Sequence, residues 1–232
     1  MQHDAVIFDL FGTLVNTVTP AEYGELLCTL GARLGVSPER FEAEWRISIT
    51  EREAGTLGGV PGILRTTAQR AGGDPKAGAL EAAARDWLGS ARRWLTPRER
   101  TLQTLEAFHD AGYVIGVLSN CSAEVPILWQ DTTIARSIHM PVFSCDVGMM
   151  KPDPRIYEQV CAGLSVEPMR CIFVGDGGSR ELTGAAKLGM EAVLLRVPGE
   201  EHTWFDQNYR LDALEWTGAT IKAIEDATRF IE

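Results

Sequence analysis

Residues 6–15 read VIFDLFGTLV. An apolar run, Ala5 to Phe8, delivers the chain to an aspartate, and Gly12 and Thr13 then turn it. A continuous apolar run of this length suits a strand buried on both faces of a parallel sheet, with Asp9 projecting from its carboxyl edge. Taken alone, such an aspartate reads as a turn cap. Four more apolar runs change its meaning: Tyr113 to Leu118, Val142 to Phe143, Cys171 to Val174 and Ala192 to Val197. Between most of them lie stretches with helical spacing. They carry Leu102, Leu105 and Phe108; Ile156, Val160 and Leu164; and Leu182, Ala185 and Leu188, the last closing at Gly189. Strands alternating with helices predict an α/β fold, a doubly wound parallel sheet with its site at the carboxyl ends of the strands.

The interval from Asn16 to Arg93 breaks the alternation, because it holds helical patterns and no strand. Tyr23, Leu27, Leu30 and Leu34 share a face that ends at Gly35. Ser37 and Pro38 supply an N-cap and a first helical residue for a segment with Phe41, Trp45 and Ile49 inward. Asp74 and Pro75 repeat that signal before Leu80, Ala83, Trp87 and Leu88. The expected organisation is an α/β core of residues 1–16 and 93–232, with a helical cap of residues 17–92 inserted after the first strand.

Four strand ends carry chemistry. The first gives Asp9; the second ends in VLSN and gives Ser119 and Asn120. Lys151 opens KPDPRIY after the third, and the fourth ends in FVGDGGSRE, giving Asp176 with Glu181 five residues on. Two carboxylates can hold a hard cation such as Mg²⁺ through oxygen. A hydroxyl and backbone N–H groups can bind phosphate oxygens, and an ammonium supplies compensating charge. With charge neutralised in this way, Asp9 could attack phosphorus in line and form an aspartyl phosphate.

In order and spacing the four pieces resemble the four motifs of the haloacid dehalogenase superfamily of hydrolases. The resemblance spans the whole chain, including a helical cap after the first motif. It implies a Rossmann-like core and assigns Asp9 as nucleophile, Thr13 and Ser119 as contacts to the transferring group, and Lys151 as partner of nucleophile and phosphate. Asn120 follows Ser119 in the second motif. Asp176 would bind Mg²⁺ together with Asp9 and the backbone carbonyl of Phe11, and Glu181 would support the metal shell. Gly12 and Arg46 are the candidate substrate contacts.

Two features pull in opposite directions. The superfamily's phosphatases carry a second aspartate, an acid and then a base, two positions after the nucleophile, where this chain has Phe11. Loss of such a group typically costs about 10²- to 10⁴-fold in rate. An aromatic residue there resembles the 2-haloacid dehalogenases, whose halide leaves without a proton; Arg46, in the pair Trp45-Arg46, would then meet halide or carboxylate. The bland alternative leaves Arg46 on a solvated helix face. Against the dehalogenase reading, Asp176 and Glu181 have little use without a cation. A phosphonate-cleaving branch also lacks the second aspartate but needs a cap lysine, and the cap's one lysine is Lys76, in the loop GGDPKAG. The leading expectation is therefore a Mg²⁺-dependent phosphatase of a small phosphorylated metabolite. A 2-haloacid dehalogenase and a catalytically weak phosphate-binding or regulatory module are the alternatives.

Composition narrows the setting. The 232 residues are 45% hydrophobic and 23% charged, the balance of a globular chain. A formal charge of −10 disfavours nucleic acid and anionic lipid as partners. Five cysteines without a CxxC pair, no basic-flanked apolar leader and no run long enough to span a bilayer predict a reduced, cytoplasmic protein. His3, His109, His139 and His202 lack metal spacing, and GTLGGVPG (55–62) lacks the Lys-Ser/Thr ending of a P-loop, which leaves it a cap loop able to reach the site. Trp204 and Phe205, after the last predicted strand, read as packing residues. Oligomeric state is not legible.

Overall fold

In a computed structural model that describes residues 3–200 and 211–231, six parallel strands form one sheet. They are β1 (Ala5–Phe8), β2 (Val114–Ser119), β3 (Met140–Phe143), β4 (Cys171–Gly175), β5 (Glu191–Leu195) and β6 (Ala219–Ile221), in the order β3-β2-β1-β4-β5-β6. Strand β1 pairs with β2 through Ala5–Val114 and with β4 through Ala5–Cys171. The order reverses at β1, so a crevice opens outside its carboxyl end. Residues of β1 alternate between two cores: Val6 and Phe8 join one face, Ala5 and Ile7 the other. Burial on both faces explains why the strand is an unbroken apolar run.

Helices α1 (Pro20–Arg33), α2 (Pro38–Ile47), α3 (Ile49–Glu53), α4 (Gly59–Arg70) and α5 (Ala77–Trp94) fill the interval after β1. Ser37 caps α2 by accepting from the Arg40 N–H, with Pro38 in the first turn. Tyr23, Leu27, Phe41, Trp45, Leu64 and Trp87 build a third core of their own. There the Trp45 indole N–H donates to the Tyr23 hydroxyl at 2.9 Å, and the Trp45 and Trp87 rings lie 4.7 Å apart. Helix α5 begins at Ala77 rather than at Pro75, with no side-chain cap; the Asp74 carboxylate pairs with the Lys76 ammonium at 2.6 Å. It runs on to Trp94 because the first breaker is Pro97. The chain leaves and rejoins the sheet side by side: Val15 bridges Pro97, and the Arg98 N–H donates to the Leu14 carbonyl at 2.9 Å.

The remaining helices are α6 (Thr101–Asp110), α7 (Glu124–Trp129), α8 (Ser144–Val147), α9 (Pro154–Leu164), α10 (Glu181–Lys187) and α11 (Leu211–Glu215). Leu105 and Phe108 of α6 are buried as expected, but Leu102 is 41% exposed. Strand β6, three residues at the sheet's edge, is too short to show as an apolar run. Trp204, Phe205 and His202 lie outside the described residues. Among the described residues no helix is long and apolar enough to cross a membrane.

Candidate functional site

The carboxyl ends of β1, β2 and β4 and the loop after β3 converge on Lys151. Its ammonium donates to Asp9 Oδ1 and to Glu181 Oε2, each at 2.5 Å, and to the Leu118 carbonyl at 3.1 Å. The other oxygen of Asp9 accepts from the Thr13 hydroxyl at 3.1 Å. Asp9, Thr13, Lys151 and Glu181 are all buried. Burial alone would drive the Lys151 ammonium toward its neutral form, but the charges of Asp9 and Glu181 outweigh it and hold its pKa well above the ordinary lysine value. Burial, and then the charge of Asp9, push the Glu181 carboxyl well above the usual carboxylate range, while Lys151 pulls it back.

Each strand end positions its residue by a local device. The Asp9 N–H donates to the Val174 carbonyl at 2.9 Å, which locks the first turn onto β4. Gly12 has φ +80, and a Cβ there would sit 2.6 Å from Asp176 Oδ2, so only glycine lets the turn pass beneath that carboxylate. Asn120 clamps the loop after β3 by accepting from the Lys151 N–H at 2.9 Å and donating to the Lys151 carbonyl at 3.3 Å. The same amide donates to the Ser179 hydroxyl at 3.2 Å. Ser179 and Arg180 both hold φ +51, an uncommon conformation for residues with a Cβ; each costs on the order of 1–3 kcal/mol, and such strain clusters at working sites. Asp176 Oδ1 accepts from the Gly178 N–H at 3.0 Å, and Glu181 Oε1 from the Gly177 N–H at 2.9 Å. Ser119 is buried at the end of β2.

Carboxylate oxygens of Asp9, Asp176 and Glu181 lie within 4.8 Å of one another. Asp9 and Glu181 share the one ammonium and Asp176 adds a third acid beside them, an oxygen-only set that fits a small divalent cation such as Mg²⁺. Asp9, Phe11, Asn120, Lys151, Asp176 and Glu181 line a pocket of about 30 Å³ at this point. Sharing Phe11, Asn120 and Asp176 with it is a second cavity of about 70 Å³, which extends toward the helical segment.

Two candidates for substrate contact lie away from the cluster, Arg46 on the solvated face that is the stronger reading of its helix. The Arg46 side chain is 52% exposed and pairs with Glu42 one turn away, at 2.6 Å, so it does not reach the cluster. The arginine that lines the second cavity is Arg52, 4% exposed. Nor does the 55–62 loop descend on Asp9: a Cβ on Gly55 would sit 2.0 Å from the Cys145 carbonyl, beyond β3. Reasoning from sequence also passes over Glu124 and Arg98. Glu124 lies in α7 and is 7% exposed. Arg98 donates to the Gly12 carbonyl at 3.1 Å and the Thr13 carbonyl at 3.2 Å, while Glu200 balances its charge at 2.6 Å. A lone charged residue at a helix or linker position carries no signal that distinguishes such burial from an ordinary solvated face.

A family model described as haloacid dehalogenase-like hydrolase matches residues 3–189. Among curated proteins, a glyceraldehyde 3-phosphate phosphatase of Methanopyrus kandleri is 25% identical over 83% of either chain. An (S)-2-haloacid dehalogenase 4A of Burkholderia cepacia is 34% identical over half of this chain and half of its own length. Among solved structures, a 2-haloacid dehalogenase from Pseudomonas syringae pv. Tomato superposes with a TM-score of 0.72 at 21% identity, over 99% of this chain and 98% of that one.

Proposed function

The chain belongs to the haloacid dehalogenase-like hydrolases, and from that premise we propose that it is a Mg²⁺-dependent phosphatase of a small phosphorylated metabolite. The observation that carries this reading is the cluster of Asp9, Asp176 and Glu181 carboxylates, of which Asp9 and Glu181 share one buried ammonium. A metal-free displacement of halide needs a nucleophilic carboxylate and one base for the water that hydrolyses the resulting ester, which leaves the third acid without a role. Asp9, Asp176 and the Phe11 carbonyl would hold the cation, with Glu181 behind them. Mg²⁺ supplies charge neutralisation and orientation for the phosphoryl group.

The chain's own groups do the rest. Thr13 and Lys151 each donate to one oxygen of Asp9 and so fix its orientation. An Asp9 oxygen attacks phosphorus in line; the phosphorus–ester oxygen bond breaks and its electron pair leaves with the alcohol oxygen. Water then attacks the aspartyl phosphate, releases phosphate and restores Asp9. Ser119 and neighbouring backbone N–H groups bind the phosphoryl oxygens, and Asn120 holds Lys151 in register. Phe11 transfers no proton, so the leaving oxygen must depart as a weak base or take a proton from elsewhere. Helices α1 to α5 act as the cap over the site, on residues 17–92 with α5 reaching Trp94.

Phe11 itself favours the second reading, a 2-haloacid dehalogenase, because a halide leaves without a proton. The test measures phosphate released from a panel of phosphate esters, and halide released from 2-haloacids, each with and without chelator. The expected result is phosphate release that stops with chelator and returns with Mg²⁺. Chelator-resistant halide release, with no ester cleaved, overturns the phosphatase in favour of the dehalogenase.

A further inference from the structure

The cavity beside the catalytic cluster has a character of its own. It opens from Phe11 and Asp176 on one side, and the rings of Tyr23, Trp87 and Trp94 line it on the helical side. Its volume of about 70 Å³ corresponds to about five waters, room for a group of about six to eight non-hydrogen atoms. Two buried polar atoms of lining residues have no hydrogen-bond partner among the described residues: Arg52 Nε, a donor, and Glu124 Oε2, an acceptor when ionised. The rest of the Arg52 guanidinium is committed. It donates to Ser122 Oγ and to the Trp45 carbonyl, each at 3.1 Å, and its centre stacks 4.3 Å from the Trp45 ring centroid. A guanidinium held through both terminal nitrogens points its one unpartnered nitrogen, Nε, in a fixed direction. Leaving a buried donor and a buried acceptor unmet costs about 1–3 kcal/mol each.

From this we infer that the cavity is a leaving-group subsite, and that the group it takes is a compact aromatic ring with one hydroxyl beyond the esterified oxygen. The inference rests on the phosphatase reading and narrows its substrate class to hydroxylated aryl phosphates. A hydroxyl answers both orphan atoms, because it accepts from Arg52 and donates to Glu124. A carboxylate would only accept and would sit beside Glu53 and Glu124, and an ammonium would only donate and would face Arg52. The aromatic walls select a flat apolar body. Phe11 points the same way by an independent route: with no acid at that position, a phenolic oxygen departs far more readily than an alkoxide.

The test compares kcat/KM for phenyl phosphate with the 2-, 3- and 4-hydroxyphenyl phosphates, in the Mg²⁺-loaded protein. In the 3- and 4-isomers the added hydroxyl barely alters the basicity of the leaving oxygen, so their ratio reports the subsite; in the 2-isomer it hydrogen-bonds the leaving oxygen itself, and a preference for that ester counts only if Arg52→Met removes it. One isomer is expected to exceed phenyl phosphate by about tenfold or more, since a site built to hydrogen-bond a hydroxyl penalises its absence strongly. Arg52→Met should bring that ratio to within about threefold of unity. Glu124→Leu should do the same and serves if the arginine variant does not fold, whereas Glu124→Gln, which still accepts, should keep most of the preference. Cleavage of all four esters at equal efficiency by the wild type overturns the subsite and leaves the phosphatase standing. Absence of phosphate release from all four overturns the subsite, and absence from the wider panel of phosphate esters as well overturns the phosphatase.

Discussion

Gly175, the last residue of β4, offers a way to strike the catalytic cluster without altering a charged group. A Cβ built there lies 2.2 Å from Glu181 Oε1 and 2.6 Å from Glu181 Cδ, far inside contact distance. Its φ is not in the left-handed region, so alanine is allowed by the backbone and the whole conflict is with the neighbouring side chain. Glu181 cannot give way freely. Its oxygens accept from the Gly177 N–H at 2.9 Å and the Lys151 ammonium at 2.5 Å, and it is 1% exposed. Gly175→Ala must therefore either overpack, at about 1–3 kcal/mol, or break hydrogen bonds involving charge, at about 1.5–3 kcal/mol each. A total of about 3 kcal/mol would lower Tm by about 6–12 °C in a chain of this size. Because Glu181 supports Lys151, kcat/KM should fall about 10- to 100-fold, the usual effect of displacing a group behind the primary residues.

A double-mutant cycle decides whether the reasoning is right. In a Glu181→Ala background the carboxylate is gone, and the next nearest neighbour of the added methyl is the Phe173 ring edge, at 3.1 Å. The gain of about 0.5–1 kcal/mol from replacing a strand glycine by alanine then opposes that small crowding. Urea denaturation of the four proteins should show Gly175→Ala costing less than about 1 kcal/mol in that background, a coupling of about 2 kcal/mol. Equal costs in both backgrounds would refute the claim that Glu181 fills the space a side chain at 175 would need.

Three further outcomes are expected. Asp9→Asn should abolish turnover with the circular dichroism of the wild type, and a variant keeping more than about a tenth of the rate removes Asp9 from the covalent role. With Phe11 in place, the rate should depend steeply on leaving-group pKa and favour aryl over alkyl phosphates, while Phe11→Asp should flatten that dependence; a flat wild-type profile with chemistry rate-limiting points to another proton donor. Burial pushes the Glu124 carboxyl above its ordinary value, against the pull of its own N–H, Trp87 and Arg52. The folded state therefore holds that proton more tightly than the unfolded chain, and stability falls as pH rises from the unfolded value of about 4.3 through the folded one. Glu124→Gln removes this loss, so its stability relative to wild type should improve between pH 4 and pH 7; a pH-independent difference refutes the assignment.

The sheet and the acidic cluster were legible because each is written in consecutive residues. A strand buried on both faces must be an apolar run, and a residue at or just past its end must lie at the sheet's edge, which gathers Asp9, Ser119 and Asp176 by position; Lys151 lies beyond β3 and α8 and is gathered only through the KPDPRIY motif. The helix starts were legible only where the cap forms: Ser37 caps α2 as its spacing predicts, whereas Asp74 pairs with Lys76 and α5 starts without a side-chain cap. What could not be read is which charged residues the tertiary packing buries. Arg46 and Arg52 are six positions apart on neighbouring helices, and nothing in ERFEAEWRISITERE marks the second as inward. The break between α2 and α3 at Ser48 sets the two on different sides, and only the packing of α3 shows it.

The two signals that conflict in the sequence, Phe11 against Asp176, stop conflicting once both are seen to line the same cavity. On the phosphatase reading, Asp176 belongs to the half of the site that would handle the phosphoryl group, beside Asp9 and Glu181. Phe11 belongs equally to the half that faces the leaving group, among Tyr23, Trp87 and Trp94. An aspartate at position 11 would place a carboxylate in that aromatic wall, where its desolvation opposes ionisation. A phenyl ring there forgoes proton transfer and extends the wall. Such an exchange is tolerable only for substrates whose leaving oxygen is already stable as an anion. The loss of the acid and the apolar lining are on this view one adaptation, made at the seam between the two pockets.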